Sequence, residues 1–222
     1  MAQYSLTVIN ESEFAQGSPD IAMFAVLPEA EQGHALSTVW RHHVIHPGNR
    51  HTFCWDIEWG FAWSAQGTEK GKPWSGGGTS AADPTSPAKC AVRFDYKHDA
   101  FLFEEMTQDP APDHDMLYIE NTGAVPIPSV QNSSVGVTLN GTPVCVTNGG
   151  PNLVEFFTLH PVYYVAAGNY KHTQMVDVTT LTQALTLDYS AGTKALTVTL
   201  DAENNWHLRP GKPEDLAAPC AP

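Results

Sequence analysis

The sequence predicts an all-β protein, an antiparallel β-sandwich with long loops and little or no helix, and three observations predict it. The run Phe53–Trp63 places large apolar residues at odd positions and small or acidic ones at even positions, which is the period of a strand and not of a helix. Short segments rich in Val, Thr, Phe and Tyr recur between Gly, Pro, Asn and Asp along the whole chain. The composition is 42% hydrophobic and 10% aromatic, enough for a packed interior, but only 16% charged, which leaves a surface of Ser, Thr, Asn, Gln and Gly.

In chain order the expected strands are Tyr4–Asn10, Ile21–Leu27, Ser37–Val44, Phe53–Trp63 with a bend near Gly60, Lys89–Tyr96, Met116–Asn121, Val135–Asn140, Val144–Thr147, Val154–His160, Tyr163–Ala167, Met175–Val178, Leu185–Tyr189 and Ala195–Leu200. Asn140-Gly141-Thr142 and Tyr189-Ser190-Ala191-Gly192-Thr193 read as hairpin turns, because glycine and asparagine accept the left-handed backbone that such turns require. A helical turn or two is expected around Thr179–Ala184. The core is expected to centre on Phe53, Trp55, Ile57, Trp59, Phe61 and Trp63, facing Lys89–Tyr96 and Val154–His160, since aromatic side chains bury the most area. Residues 1–208 then form one sandwich, 64–88 a long Gly/Pro-rich surface loop, and 209–222 a Pro-rich tail.

Charge narrows the partners. With 24 acidic against 11 basic residues the chain carries −13, so phosphate backbones and anionic membrane surfaces are repelled and nucleic acid is excluded. No apolar run reaches the length of a membrane span, so no integral membrane segment is expected. The start Met1-Ala2-Gln3-Tyr4 lacks the charged and apolar regions of a signal peptide, and the expectation is a cytoplasmic protein, export without a cleaved signal being the alternative. Cys54, Cys90, Cys145 and Cys220 form no C-x-x-C pair and read as buried free thiols, with Cys90–Cys145 the one bridge to consider.

Candidate chemistry is sparse. Four histidines lie between residues 42 and 51, and neutral imidazole is a common transition-metal ligand. His42 and His43, adjacent on a strand, point to opposite faces, so at most one of them joins His46 and His51; His42, or His43 in its place, with His46 and His51 is the candidate set for Zn or Cu. Asp109, Asp113 and Asp115 make an acidic loop that offers weak candidates for hydrolysis or a hard cation. Gly76-Gly77-Gly78 lacks the Gly-Lys-Ser/Thr of a phosphate loop and reads as flexible. Among the aromatics, Trp74, Trp40 and Tyr170 are the candidates for exposure, able to bind a glycan ring, a partner protein surface or a second copy of the chain. No nucleophile elbow, zinc-protease helix or dinucleotide fingerprint occurs.

Tyr4–Asn10, the Phe53–Trp63 segment, Gly150-Pro151-Asn152 before an apolar strand, and His160-Pro161-Val162-Tyr163-Tyr164-Val165-Ala166-Ala167-Gly168 together resemble the RhiA family of rhizosphere-expressed proteins. The resemblance implies an abundant, density-regulated bacterial protein linked to life beside a plant host, and it brings no catalytic residue. The Gly76–Gly78 segment, the His-rich turn and the Pro-rich end are not part of it. The expected function is a non-enzymatic binding or self-associating protein, its partner a glycan or protein surface. A transition-metal-binding protein and a hydrolase acting on glycan or lipid are the alternatives.

Overall fold

A computed structural model describes residues 4–13, 18–106, 115–181, 183–189 and 192–210. Its strands are β1 (Tyr4–Asn10), β2 (Asp20–Val26), β3 (Leu36–Thr38), β4 (Arg41–Val44), β5 (Arg50–Trp55), β6 (Trp59–Ser64), β7 (Gly78–Ala81), β8 (Ala91–Lys97) and β9 (Ala100–Glu105). They continue as β10 (Met116–Asn121), β11 (Ser134–Leu139), β12 (Thr142–Asn148), β13 (Val154–Thr158), β14 (Val162–Gly168), β15 (Met175–Val176), β16 (Ala184–Leu187), β17 (Ala195–Leu200) and β18 (Trp206–Pro210). Among the described residues helix is confined to one turn, α1 (Pro28–Glu31), and a 3-10 turn at Val178–Thr180. The protein is all-β.

The strands assemble into four sheets, ordered β18-β17-β1-β5, β16-β14-β2-β4, β15-β3-β12-β11-β6-β7 and β13-β10-β8-β9. Two pairings are parallel, β1 with β17 and β10 with β8, and the rest are antiparallel. One apolar core draws on all four, with Leu6 and Val8 from the first, Phe24 and Val165 from the second, Phe61 and Val137 from the third, and Phe94 and Ile119 from the fourth. Aromatic rings join sheets in two places. Trp55 meets Trp40, Tyr163 and Tyr189 at 5.3–5.5 Å between centroids, and Phe94 stacks on Phe101 at 5.3 Å with Trp63 alongside.

Phe53–Trp63 is not one strand. It divides at Asp56–Glu58 into β5 and β6, which belong to different sheets, so period two holds on either side of a break. Phe53, Trp55 and Phe61 are buried and Trp59 and Trp63 half-buried, but Ile57, at the crossover, is 45% exposed and leaves the expected core. Gly60 lies inside β6 instead of at a bend, where a Cβ would come within 2.6 Å of Thr138 Oγ1. The expected strand Ser37–Val44 likewise splits into β3 and β4.

The 64–88 segment is not merely a surface loop, because Gly78–Ala81 pairs with β6 as β7. Nor is the triple glycine a flexible stretch. A Cβ on Gly77 would fall 2.3 Å from the Trp63 ring, which also packs against Phe94 and Phe101, so only glycine fits. Arg209 and Pro210, expected in the tail, belong instead to β18, which pairs with β17; residues 211–222, including Cys220, lie outside the described residues. Cys90 and Cys145 are free and buried, whereas Cys54 is disulfide-bonded, so the free-thiol expectation fails at Cys54.

Candidate functional site

After β6 the chain folds back over the outer face of the six-stranded sheet. That face carries a small apolar patch of Ala62, Val146 and Met175, and Trp74 closes it, only 3% exposed. Backbone bonds fasten the excursion to β15 and the segment before it: Trp74 N–H donates to Thr173 O, Gly71 N–H to Met175 O, and Met175 N–H to Lys72 O, at 2.8–2.9 Å. Lys70 adds an ion pair to Asp177. Inside, Trp74 Nε1 donates to Ser134 Oγ at 2.7 Å, and Ser134 Oγ donates to Gln66 O at 2.6 Å, so the indole is tied through one hydroxyl to the start of the excursion.

A cleft of about 580 Å³ opens between this excursion and the segments on its flank. Gln66, Thr68, Asn132 and Asn148 supply amides and a hydroxyl, and Pro73, Pro128 and Met175 supply apolar surface. Asn148 Oδ1 accepts the Thr68 N–H at 2.8 Å, and Gly67 sits against Asn132 and Asn148, so close approach of backbone sets the width. The charged residues at its rim, Glu69 and Lys72, pair with each other at 2.7 Å. On a chain carrying −13, this is a locally neutral, donor- and acceptor-rich concavity.

The concavity continues. Thr68 and Asn148 also line a second depression of about 280 Å³ with His34, Ala35 and Thr147, and those three residues line a third, of about 210 Å³, with Glu29, Glu155, Phe156 and Phe157. Three depressions therefore adjoin in a row, sharing walls, from the amide-lined cleft to a pair of carboxylates. Glu29 comes from α1, which starts at Pro28, where a missing N–H costs nothing. Its Oε1 accepts from Thr158 N at 3.0 Å and Thr158 Oγ1 at 2.7 Å. Burial pushes the Glu155 carboxyl above its ordinary value.

The aromatic candidates are placed differently from expectation. Trp40 is fully buried with Nε1 donating to Leu139 O at 2.9 Å, and Trp74 is buried as described, so neither shows a ring face to solvent. Tyr170 is half-buried, its ring edge-on to Phe24 at 5.6 Å, and burial raises its hydroxyl pKa. The histidines separate into pairs. His43 stacks on His51 at 3.9 Å, His42 lies 6.0 Å from His172, and His46 bonds to Ser18. His42, His46 and His51 are not brought together, and among the described residues no three His, Cys, Asp or Glu side chains form a set that could hold a metal ion. Asp109 and Asp113 lie outside the described residues, and Asp115 is exposed, 3.4 Å from His160.

The lining residues Gln66, Asn132, Asn148, Glu29 and Glu155 were not singled out by sequence. They sit far apart in the chain and form no motif; Pro28 before Glu29, an unused helix-start cue, could have pointed to one of them. Among the described residues no helix is long and apolar enough to cross a membrane.

The comparisons with known proteins agree with the resemblance. No solved structure matches the chain. Protein RhiA of Rhizobium leguminosarum bv. viciae is 27% identical over 213 residues, covering 94% of this chain and 87% of that protein. The RhiA family model matches residues 1–211, the whole of the strand framework described above, and the chain belongs to the RhiA family.

Proposed function

We propose that this protein is a non-enzymatic binding protein whose site is the amide-lined cleft, and that its ligand there is a neutral, polyhydroxylated chain of the glycan type. One observation carries the reading: the cleft offers Gln66, Asn132, Asn148 and Thr68 as hydrogen-bonding groups while its two charges, Glu69 and Lys72, cancel across 2.7 Å. Side-chain amides both donate and accept, as hydroxyl groups do, so the two match without burying net charge. A phosphate or carboxylate ligand would find Lys72 already engaged by Glu69 and Lys70 by Asp177, on a chain of net negative charge. The row of adjoining depressions favours a linear chain over a single ring.

The test is a saturation-transfer NMR screen of neutral and anionic oligosaccharides on the full chain, with the Gln66→Ala/Asn132→Ala double variant as control. Binding of neutral saccharides that weakens about tenfold in the double variant supports the reading, since two lost hydrogen bonds of roughly 0.5–1.5 kcal/mol each predict that range. Indifference to the double variant, or a preference for anionic saccharides, removes it.

A further inference from the structure

One edge of the fourth sheet is left without a neighbour. We propose that the free side of β13 is a docking site for a short extended segment of another protein, a basic residue between two apolar ones, which adds to the sheet as a further strand. The inference does not depend on what the amide-lined cleft binds.

The register shows which backbone groups are free. Leu159 N–H donates to Asp115 O and Asn121 N–H to Leu153 O, both at 2.7 Å, so the odd-numbered residues of this stretch bond to β10. Val154, Phe156 and Thr158 therefore turn their N–H and C=O groups the other way. No strand lies on that side among the described residues. Glu29 Oε1 accepts the Thr158 N–H at 3.0 Å and closes that end. Val154 and Phe156 have no such cover, and in an antiparallel ladder two residues of this kind exchange four hydrogen bonds with a new strand.

The side chains of the same residues mark the same edge. Val154 is 61% exposed, Phe156 52% and the adjoining Leu153 42%. Three of the eight large apolar side chains that stand exposed among the described residues thus fall within four positions, which makes a patch instead of scatter. Other edge strands carry groups that discourage pairing: Arg41, His42 and His43 on β4, Glu104 and Glu105 on β9, Arg209 and Pro210 on β18. β13 has neither lysine nor proline, and its one charge is Glu155.

That charge selects the partner. Glu155 points to the face opposite Val154 and Phe156, where burial alone raises its carboxyl pKa and no cation among the described residues lowers it. A strand bonded to Val154 and Phe156 sets its middle residue directly across from Glu155. A lysine or arginine there supplies the missing cation, and the two residues flanking it meet Val154 and Phe156 on the outer face and are apolar. A second copy is a poor occupant. Antiparallel self-pairing through Val154 and Phe156 opposes Glu155 to the same residue of the copy, and the register centred on Phe156 needs the Thr158 N–H that Glu29 holds. The charge of −13 also favours a basic partner over a second copy.

The probes are two capped peptides, STVKVTS and STVEVTS, titrated into the full chain and followed by NMR of its backbone amides. STVKVTS is expected to bind with a Kd on the order of 1 mM and STVEVTS at least about tenfold more weakly. N-methylation of both valines removes the donors to β13 and should abolish binding. N-methylation of the lysine, whose N–H faces away, should change it by no more than about twofold. Glu155→Gln should bring the two peptides within about threefold of each other, and Phe156→Lys, a change at an exposed position, should abolish binding with its thermal melt preserved. The Val154 and Phe156 amides should exchange rapidly with solvent in the free protein and more slowly with STVKVTS bound. Absence of STVKVTS binding, equal binding of the two peptides to the parent, or indifference to valine methylation overturns the proposal. So do two further outcomes: protection of both amides in the free protein, which assigns the edge to a segment of this chain, and a concentration-dependent dimer abolished by Phe156→Lys, which assigns it to a second copy.

Discussion

The two ends of this row of depressions are built in opposite ways. The amide-lined cleft is made by an irregular excursion, held to the sheet by one buried tryptophan and a few backbone bonds. The carboxylate recess is made by regular elements, α1 and β13, with the Glu29–Thr158 bonds joining them. A site on an excursion shares its stability with the plug that holds it down, so shape and binding are lost together. A site on a strand and a helix start survives loss of its own side chains, and what it loses is charge.

The largest expected effect separates the two directly. Trp74→Ala removes a buried indole and leaves Ser134 without its donor, and should cost about 3–5 kcal/mol in denaturant unfolding. Saccharide binding should vanish in the same variant while the raised Glu155 titration, followed by NMR, persists in whatever fraction remains folded. Simultaneous loss of both at a temperature where the variant is folded would mean the ends are not independent.

Next in size is Gly77→Ala. The new methyl meets a Trp63 ring that cannot retreat, being packed against Phe94 and Phe101, and a loss of about 1–3 kcal/mol is expected from overpacking. If the stability is unchanged, the segment is loose and the cleft wall is not rigid.

A pH experiment probes the other end. The folded state holds the Glu155 proton more tightly than the unfolded chain, because burial disfavours the ionised form. The associated stability is present below the ordinary value of 4.5 and is lost as pH rises through the raised folded value. Glutamine cannot lose a proton. The melting temperature of Glu155→Gln relative to the parent should therefore rise from about pH 4 to pH 7, and a flat difference would show that the carboxylate is well solvated. Saccharide binding over the same range should not change.

The smallest effect concerns the stacked imidazoles. Burial first, and the charge of His43 second, hold His51 below its ordinary value of 6.5. Stability tied to His51 is present above 6.5 and lost as pH falls through its lowered folded value. His43→Asn removes the second cause, so the His51 titration followed by NMR should move upward yet stay below 6.5, since burial remains. A titration that does not move would show that the rings are not electrostatically coupled.

Much of the framework was legible. Tyr4–Asn10, Met116–Asn121 and Ala195–Leu200 are strands with the bounds that their composition suggests, and Asn140 and Gly141 adopt the left-handed backbone expected of them, at φ 50° and 73°. β9 was missed because the turn before it has neither glycine nor asparagine, although His98 and Asp99 take φ 51° and 61° there. Aspartate and histidine tolerate that region, but nothing in their identity announces it.

The site was less legible, for a different reason. Polar composition around Trp74 suggested an exposed ring, yet the outward side chains Ala62 and Val146 of the third sheet left an apolar patch to cover. Small residues at outward strand positions read as solvent-facing until something packs on them. Glu29 and Glu155 stand more than a hundred residues apart, and only the docking of α1 beside β13 makes them neighbours.

The first sheet has a temporal consequence. β1 lies between β5, which follows it closely in sequence, and β17, which pairs with it in parallel from near the other end of the described chain. During synthesis one side of β1 is occupied early, while the other keeps its N–H and C=O groups open until residues 195–200 emerge. That interval is long because the parallel partner is so remote in sequence, and closing the intervening loop adds an entropic cost once it has emerged. The nascent protein thus carries an open hydrogen-bonding edge for most of its translation, and completion of one ladder ends its exposure to wrong partners.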